Sequence, residues 1–284
     1  MVNLDVAVRV AQTGDHSRLS NLLYFESHIH RHLDWRTPLD WLGVPEYWVA
    51  EQNGLISAAL ACPPDPENIA WIRLFVRSNS ISAGDAWTSL WSMARNSMAG
   101  RQGVIFAAIV INDWFHQLLT GSGFVCQQHI VLLEHNAGSF PERPVPDGVS
   151  MRPMSVDDLP LVALLDADAF APLWRNSLPS LRAAFSQAGP ATVAVYKGNI
   201  VGYQISTKNT FGVHLARLAV SPDFQGRALG YALVQDLLRQ VYRMGIFRLT
   251  VNTQSDNISS LALYKKIGFV LTGEHYPVLT YQLS

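Results

Sequence analysis

The residues Pro222, Asp223, Phe224, Gln225, Gly226, Arg227, Ala228, Leu229, Gly230 and Tyr231 join an apolar stretch, His214 to Val220, to a segment whose Leu229, Leu233, Leu237 and Val241 recur every fourth position. The first stretch reads as a strand and the second as an amphipathic helix. A helix that starts in such a loop leaves its first amides unpaired and pointing outward, where the helix dipole favours an anion. Gly226 and Gly230 would let a ligand approach the backbone closely. The chemistry suggested is phosphate binding, although two glycines between a strand and a helix also suit a plain turn.

A second block follows about one strand and one loop later: Asn257, then Ala262, Leu263, Tyr264, Lys265 and Lys266, then Gly268 and Phe269. Ser255, Asp256 or Asn257 can cap a short helix there, the lysines suit its C-terminal dipole, and Gly268 suits the left-handed residue that ends it. Asn257 and Tyr264 are seven residues apart, which places them on one helix face about two turns from each other. Tyr264 can donate a hydrogen bond or a proton, and it equally suits packing of that helix against a sheet.

Together the two blocks resemble the GNAT superfamily of acetyl-CoA-dependent N-acetyltransferases, from about Met151 to Ser284. The family loop reads Gln or Arg, two residues, Gly, one residue, then Gly or Ala, after a strand that ends Val, one residue, Pro. Val220, Pro222, Gln225 and Gly230 match, and Ala228 stands where the first loop glycine is usual. Alanine keeps the amide and departs from glycine in earnest only if the position needs positive φ. The resemblance implies that main-chain groups of Leu218, Ala219 and Val220 pair with the pantetheine arm of acetyl-CoA, and that an amide near Val220 faces the thioester oxygen. It implies that the amides from Gln225 through Gly226, Arg227, Ala228, Leu229 and Gly230 to Tyr231 hold the pyrophosphate, and that Asn257 bonds the cofactor. Tyr264 is then the acid toward the departing sulfur. A phenol of pKa about 10 is a weaker acid than a thiol of about 8.5, so hydrogen bonding to the thiolate can be most of its contribution. The acceptor implied is a primary amine, on a small molecule or a peptide.

No general base is evident. The stretches Leu215 to Val220 and Arg248 to Asn252 carry no carboxylate. His214 has a suitable ordinary pKa but also suits a structural role. Asp166, Asp168, Glu274 and His275 could line the acceptor side or face solvent, and proton loss through water fits equally. A non-catalytic acyl-CoA-binding or regulatory module is the competing class.

The chain that must position these residues has 284 positions, enough for two ordinary domains. Gly138, Pro141, Pro144, Pro146 and Gly148 mark a linker at 137–148, between a domain at 1–136 and one at 149–284. The two sides repeat each other at a displacement near 144. Arg9, Asp15 and Leu22 align with Arg152, Asp158 and Leu165; Val49, Ala50 and Gly54 with Val193, Ala194 and Gly198; Arg73 and Val76 with Arg217 and Val220; Gly123 with Gly268. A tandem duplication follows. The expected fold is α/β of the α+β type: two GNAT-like domains, each a mixed twisted β-sheet flanked by helices.

The first copy departs where cofactor would bind. Opposite the loop it has Ile81, Ser82, Ala83, Gly84, Asp85 and Ala86, and Asp85 would repel pyrophosphate; opposite Tyr264 it has Leu119. It is expected to keep the fold without the pyrophosphate site and to shape the substrate site of the second. Seven of eight tryptophans lie there and read as core. His28, His30 and His32 lack a metal-ligand pattern and are expected in a solvated or substrate-facing helical segment. No metal is expected anywhere. Net charge is -1 and only 15% of residues are charged, which opposes nucleic-acid binding. Two cysteines make no disulfide framework. No apolar run reaches membrane-spanning length and no signal segment is evident, so a cytoplasmic location is expected.

Overall fold

The computed structural model describes residues 6–136 and 139–283, which form two compact units. The first unit takes residues 1–127 together with 276–284, and the second takes 128–275.

The first unit runs β1 (Ala7–Val10), α1 (His16–Phe25), β2 (Ile29–Arg31), β3 (Tyr47–Gln52), β4 (Leu55–Ala61), β5 (Ile69–Trp71), β6 (Leu74–Arg77), α2 (Ala83–Met98), β7 (Ile105–Ile109) and α3 (Asp113–Gly121). Five strands pair in the order β1-β3-β4-β6-β2, and β5 lies parallel to β7. Strand β8 (Val125–His135) begins at the end of this unit and runs into the second. The second unit adds β9 (Val149–Pro153), α4 (Leu159–Ala169), α5 (Leu178–Ser186), β10 (Ala191–Tyr196), β11 (Asn199–Asn209), β12 (Gly212–Val220), α6 (Leu229–Arg243), β13 (Leu249–Gln254), α7 (Ile258–Ile267) and β14 (Val270–Gln282). Its strands pair in the order β9-β10-β11-β12-β13-β8. The last residues of β14, Val278 to Gln282, return to the first unit and pair antiparallel with β7, where Leu279 is buried in the core and Tyr281 packs against it.

These units differ from the boundaries read in the sequence. The stretch 139–148 belongs to the second unit, and the chain changes unit inside β8 and β14. The reason is that a strand belongs to whichever sheet supplies its hydrogen bonds, and β7 lies far from β14 in sequence.

The repetition is built into the structure. Arg9 holds Asp15 through two bonds of 2.7 and 2.8 Å, and Arg152 holds Asp158 through two of 2.7 Å. Each β-hairpin carries a register shift at the equivalent place, Ala50/Glu51 and Ala194/Val195. Each turns through a positive-φ pair, Asn53–Gly54 and Lys197–Gly198, as a tight hairpin requires.

The tryptophans Trp41, Trp48, Trp71, Trp87 and Trp91 are buried, as read from the sequence. The histidine segment is not helical. It forms β2, with His30 buried, stacked on Phe115 at 4.2 Å and bonded to the Ile72 carbonyl at 3.1 Å. His32 stacks on Trp71 at 4.8 Å. Alternation along a strand turns both rings into the core.

Candidate active site

Strand β12 carries two different edges. Along one it pairs antiparallel with β11, from Gly212 opposite Asn209 to Val220 opposite Gly202, with a shift that leaves Ala216 as a bulge. Along the other it pairs parallel with β13 only from Val213 to Leu215. Beyond Leu215 and Val251 the strands part, and no strand among the described residues pairs with 216–220 on that side.

The register decides which groups the open edge offers. Ser221 N–H bonds the Val201 carbonyl at 2.9 Å, which makes Gly202 and Val220 a non-hydrogen-bonded pair and Tyr203 and Ala219 a bonded one. Leu218 and Val220 therefore turn their main-chain groups outward, and Ala219 turns its own toward β11. Of the three residues expected to meet the pantetheine arm, Ala219 has its main chain committed. The Val220 carbonyl also accepts a bond of 3.1 Å from Gln225 Nε2, which ties the loop back to the strand.

From Ser221 the chain makes one 3₁₀ turn at Pro222–Phe224 and then rises through Gly226 at φ +72° and Ala228 at φ +60° into α6. The first rung of that helix is Ala232 N–H to the Ala228 carbonyl at 3.0 Å. The amides of Leu229, Gly230 and Tyr231 precede it, no side chain caps them, and the first turn holds no acid. Ala228 thus sits in the conformation that glycine would supply without cost. Arg227 places its guanidinium 5.2 Å from the Phe224 ring beside the exposed loop. Leu229 and Tyr231 are buried, and the Tyr231 hydroxyl bonds the Pro141 carbonyl, so these two can offer a ligand only their amides. At Gly230 an added Cβ would lie 3.3 Å from Leu263 Cδ2, so its small size serves the packing of α6 on α7 rather than ligand approach.

Helix α7 starts as read, with Asn257 as its cap: Oδ1 accepts from Ser260 N at 3.1 Å, and Nδ2 donates to Gln254 Oε1 at 3.5 Å, a long bond that a cofactor acceptor would have to replace. Gly268 closes it at φ +105°. Tyr264 is buried in one apolar cluster with Leu215 and Val251, the pair at which the two strands part. Its hydroxyl has no hydrogen bond among the described residues, and burial pushes the phenol above its ordinary pKa. It stays protonated and can donate.

Among the groups considered as a base, Asp168, Glu274 and His275 are exposed. His214 Nδ1 lies 2.9 Å from Thr250 Oγ1, and burial lowers its pKa, so the ring is neutral near pH 7. Asp166 neither faces solvent nor stands free. It accepts from Arg217 Nε at 2.7 Å and Nη2 at 2.8 Å, from Asn176 N–H at 2.8 Å and from the Tyr203 hydroxyl. Arg217 also bonds the Trp174 carbonyl at 2.6 Å and lies 3.5 Å from the Phe170 ring centre. This buried network ties the stretch 170–176 to β12. The sequence reading passed over its role, although the Arg73–Arg217 match was visible. Among the described residues no cluster of three His, Cys, Asp or Glu side chains could hold a metal.

Residues 159–269, which contain this site, match the Acetyltransferase (GNAT) family. A mycothiol acetyltransferase of Arthrobacter sp. (strain FB24) is 25% identical over 279 residues, covering 93% of this chain and 81% of its own. A [ribosomal protein bS18]-alanine N-acetyltransferase of Escherichia coli (strain K12) is 32% identical over 66 residues, 22% of this chain and 45% of that enzyme. In fold, a tandem GNAT protein from the clavulanic acid biosynthesis pathway, solved without acetyl-CoA, superposes with a TM-score of 0.62 at 14% identity over 99% of both chains. Residues 159–269 thus form a domain of the GNAT family of acetyltransferases, which makes the chain an acyltransferase, and its two-unit fold is similar to that of the tandem GNAT protein.

Proposed function

We propose that the second unit moves an acetyl group from acetyl-CoA to a primary amine on a small molecule or a peptide. One observation carries this reading: an open strand edge at Leu218 and Val220 leads directly into an uncapped helix N-terminus. An arm bearing amides needs the first and a pyrophosphate needs the second. The mycothiol and bS18-alanine relatives bracket the two kinds of amine.

In the transfer, the amine nitrogen attacks the thioester carbonyl while an outward N–H of Leu218 or Val220 holds the developing oxyanion. The C–N bond forms, the C–S bond breaks, and the sulfur leaves as a thiolate that Tyr264 meets with its O–H. Because burial raises the phenol further above a thiol, the role is hydrogen-bond donation rather than complete proton transfer. The ammonium proton is lost through water. Neutral His214 is one receiver, roughly 10–13 Å along the strand from Leu218. Cys62, buried, and Cys126, exposed, are not joined in a disulfide, which suits the reducing cytoplasm where we place the protein.

Isothermal titration with acetyl-CoA and a thiol-release assay over a panel of amines test the reading. The expected result is one acetyl-CoA bound per chain and amine-dependent thiol release. Tight binding with no release across small amines and free peptide N-termini would instead identify a non-catalytic acyl-CoA-binding module.

A further inference from the structure

The first unit contains a cavity of about 610 Å³ between the C-terminal half of α1, the β3–β4 hairpin and the stretch after β6. That volume suits a small molecule. Its floor includes Leu22 and Ile56, which are buried, and its rim carries Phe25, which is 75% exposed. The polar lining is made of amides and hydroxyls: Asn21, Gln52, Asn53, Ser78, Asn79 and Ser80. The only cation is Arg18, already held by Asp15 at 3.2 Å, Glu51 at 2.8 Å and the Gly54 carbonyl at 2.7 Å. Glu26 adds a negative charge. An anionic ligand has no unspent partner here.

The repeat supplies an internal control. At a displacement of 144, Gln52 corresponds to Tyr196 and Ser80 to Phe224. In the second unit those rings meet edge to face with centroids 5.1 Å apart and join an apolar cluster. In the first unit the same pair is Ser80 Oγ and Gln52 Oε1, 3.5 Å apart. Where the second unit has two packed rings, the first has short groups that hydrogen-bond each other and line the cavity.

We propose that this cavity is a binding site for an uncharged polyhydroxylated ligand of saccharide type, whose hydroxyls meet the amide and serine groups and whose C–H face lies on Phe25. The proposal stands independently of acetyl transfer in the second unit. It is tested on the full chain by saturation-transfer NMR, with methyl β-glucoside and N-acetylglucosamine as the probes. Saturation of at least one probe at millimolar concentration is expected, undisturbed by added acetyl-CoA. The double variant Gln52→Tyr/Ser80→Phe, which copies the plug of the second unit, should remove the signal without changing acetyl-CoA titration. Phe25→Ala, at an exposed position that does not threaten folding, should weaken binding about tenfold through loss of ring stacking. No saturation of either probe by the native protein would overturn the proposal. So would full binding in Phe25→Ala, or in the plugged variant once its melting curve shows it folded.

Discussion

The edge of β12 in the second unit and the edge of β6 in the first are the same edge in two conditions. Among the described residues, Leu218 to Val220 face no strand on the β13 side, whereas their counterparts Leu74 to Val76 pair with β2, through Arg31, His30 and Ile29. The helix ends differ in the same sense. At α6 the first amides are uncapped, but at α2 Ser82 Oγ accepts from Asp85 N–H at 3.1 Å and donates to the Asp85 carboxylate at 2.6 Å. In the first unit the chain thus supplies from itself what a pantetheine arm and a pyrophosphate would supply elsewhere. A duplicated fold can keep its strands, bulges and Arg–Asp locks and still lose a site, because a site of open main-chain groups closes once the chain pairs them.

The largest effect is expected from removing the end of β14, which belongs to the first unit. A chain ending at His275 lacks the residues that pair with β7 and the buried Leu279 of the first core. Large losses of buried apolar area and of a whole strand ladder exceed the usual stability of a domain of this size. Loss of the first unit's cooperative melting is expected in calorimetry, and a native two-unit melting profile would show that the first unit does not depend on its returning strand.

Next in size are exchanges of the ligand-facing groups. Gly226→Asp puts a carboxylate in the positive-φ loop ahead of α6 and should weaken acetyl-CoA binding about a hundredfold, by repulsion of pyrophosphate. The reverse change, Asp85→Ala, should create no second site, because β2 still fills the edge of β6. A stoichiometry rising to two in that variant would show that the helix end alone decides.

Tyr264→Phe follows, with turnover reduced about tenfold to a hundredfold and acetyl-CoA affinity unchanged, as expected for a donor to the leaving sulfur. Its counterpart Leu119 is a buried apolar residue of the first core, so on the proposed function the same position is packing in one unit and chemistry in the other. Unaltered turnover in Tyr264→Phe would leave it packing in both.

Most of this architecture was legible because its signals are local. The fourfold spacing of Leu229 to Val241 gave α6, and Asn257 with Gly268 gave both ends of α7. The matched residues at a near-constant displacement marked the repeat, down to the Arg9–Asp15 and Arg152–Asp158 pairs. What escaped depends on partners distant in the chain. β2 is a strand because Leu74 to Val76 pair with it, and three residues with alternating histidines carry no such information. The outward turn of Leu218 and Val220, and the inward turn of Ala219, follow from register and a bulge. Asp166 reads as one acid among several until Arg217, 51 positions later, closes on it.

The smallest effect concerns Ala228. Its left-handed backbone costs a residue with a Cβ about 1–2 kcal/mol, a strain that glycine avoids. Glycine also gains freedom in the unfolded chain, which takes back about 0.4–1 kcal/mol. Ala228→Gly should therefore raise stability by about half a kcal/mol, seen as a slightly higher denaturant midpoint. The effect on acetyl-CoA binding is the more informative half of the measurement. If the amides of α6 already hold the geometry that pyrophosphate needs, glycine adds only looseness to the loop and affinity should fall by about twofold or less. A clear gain in affinity would mean instead that the Cβ of Ala228 keeps the loop from closing fully on its ligand, and that the open edge of β12 and the open end of α6 are less ready for one molecule than their contrast with the first unit implies.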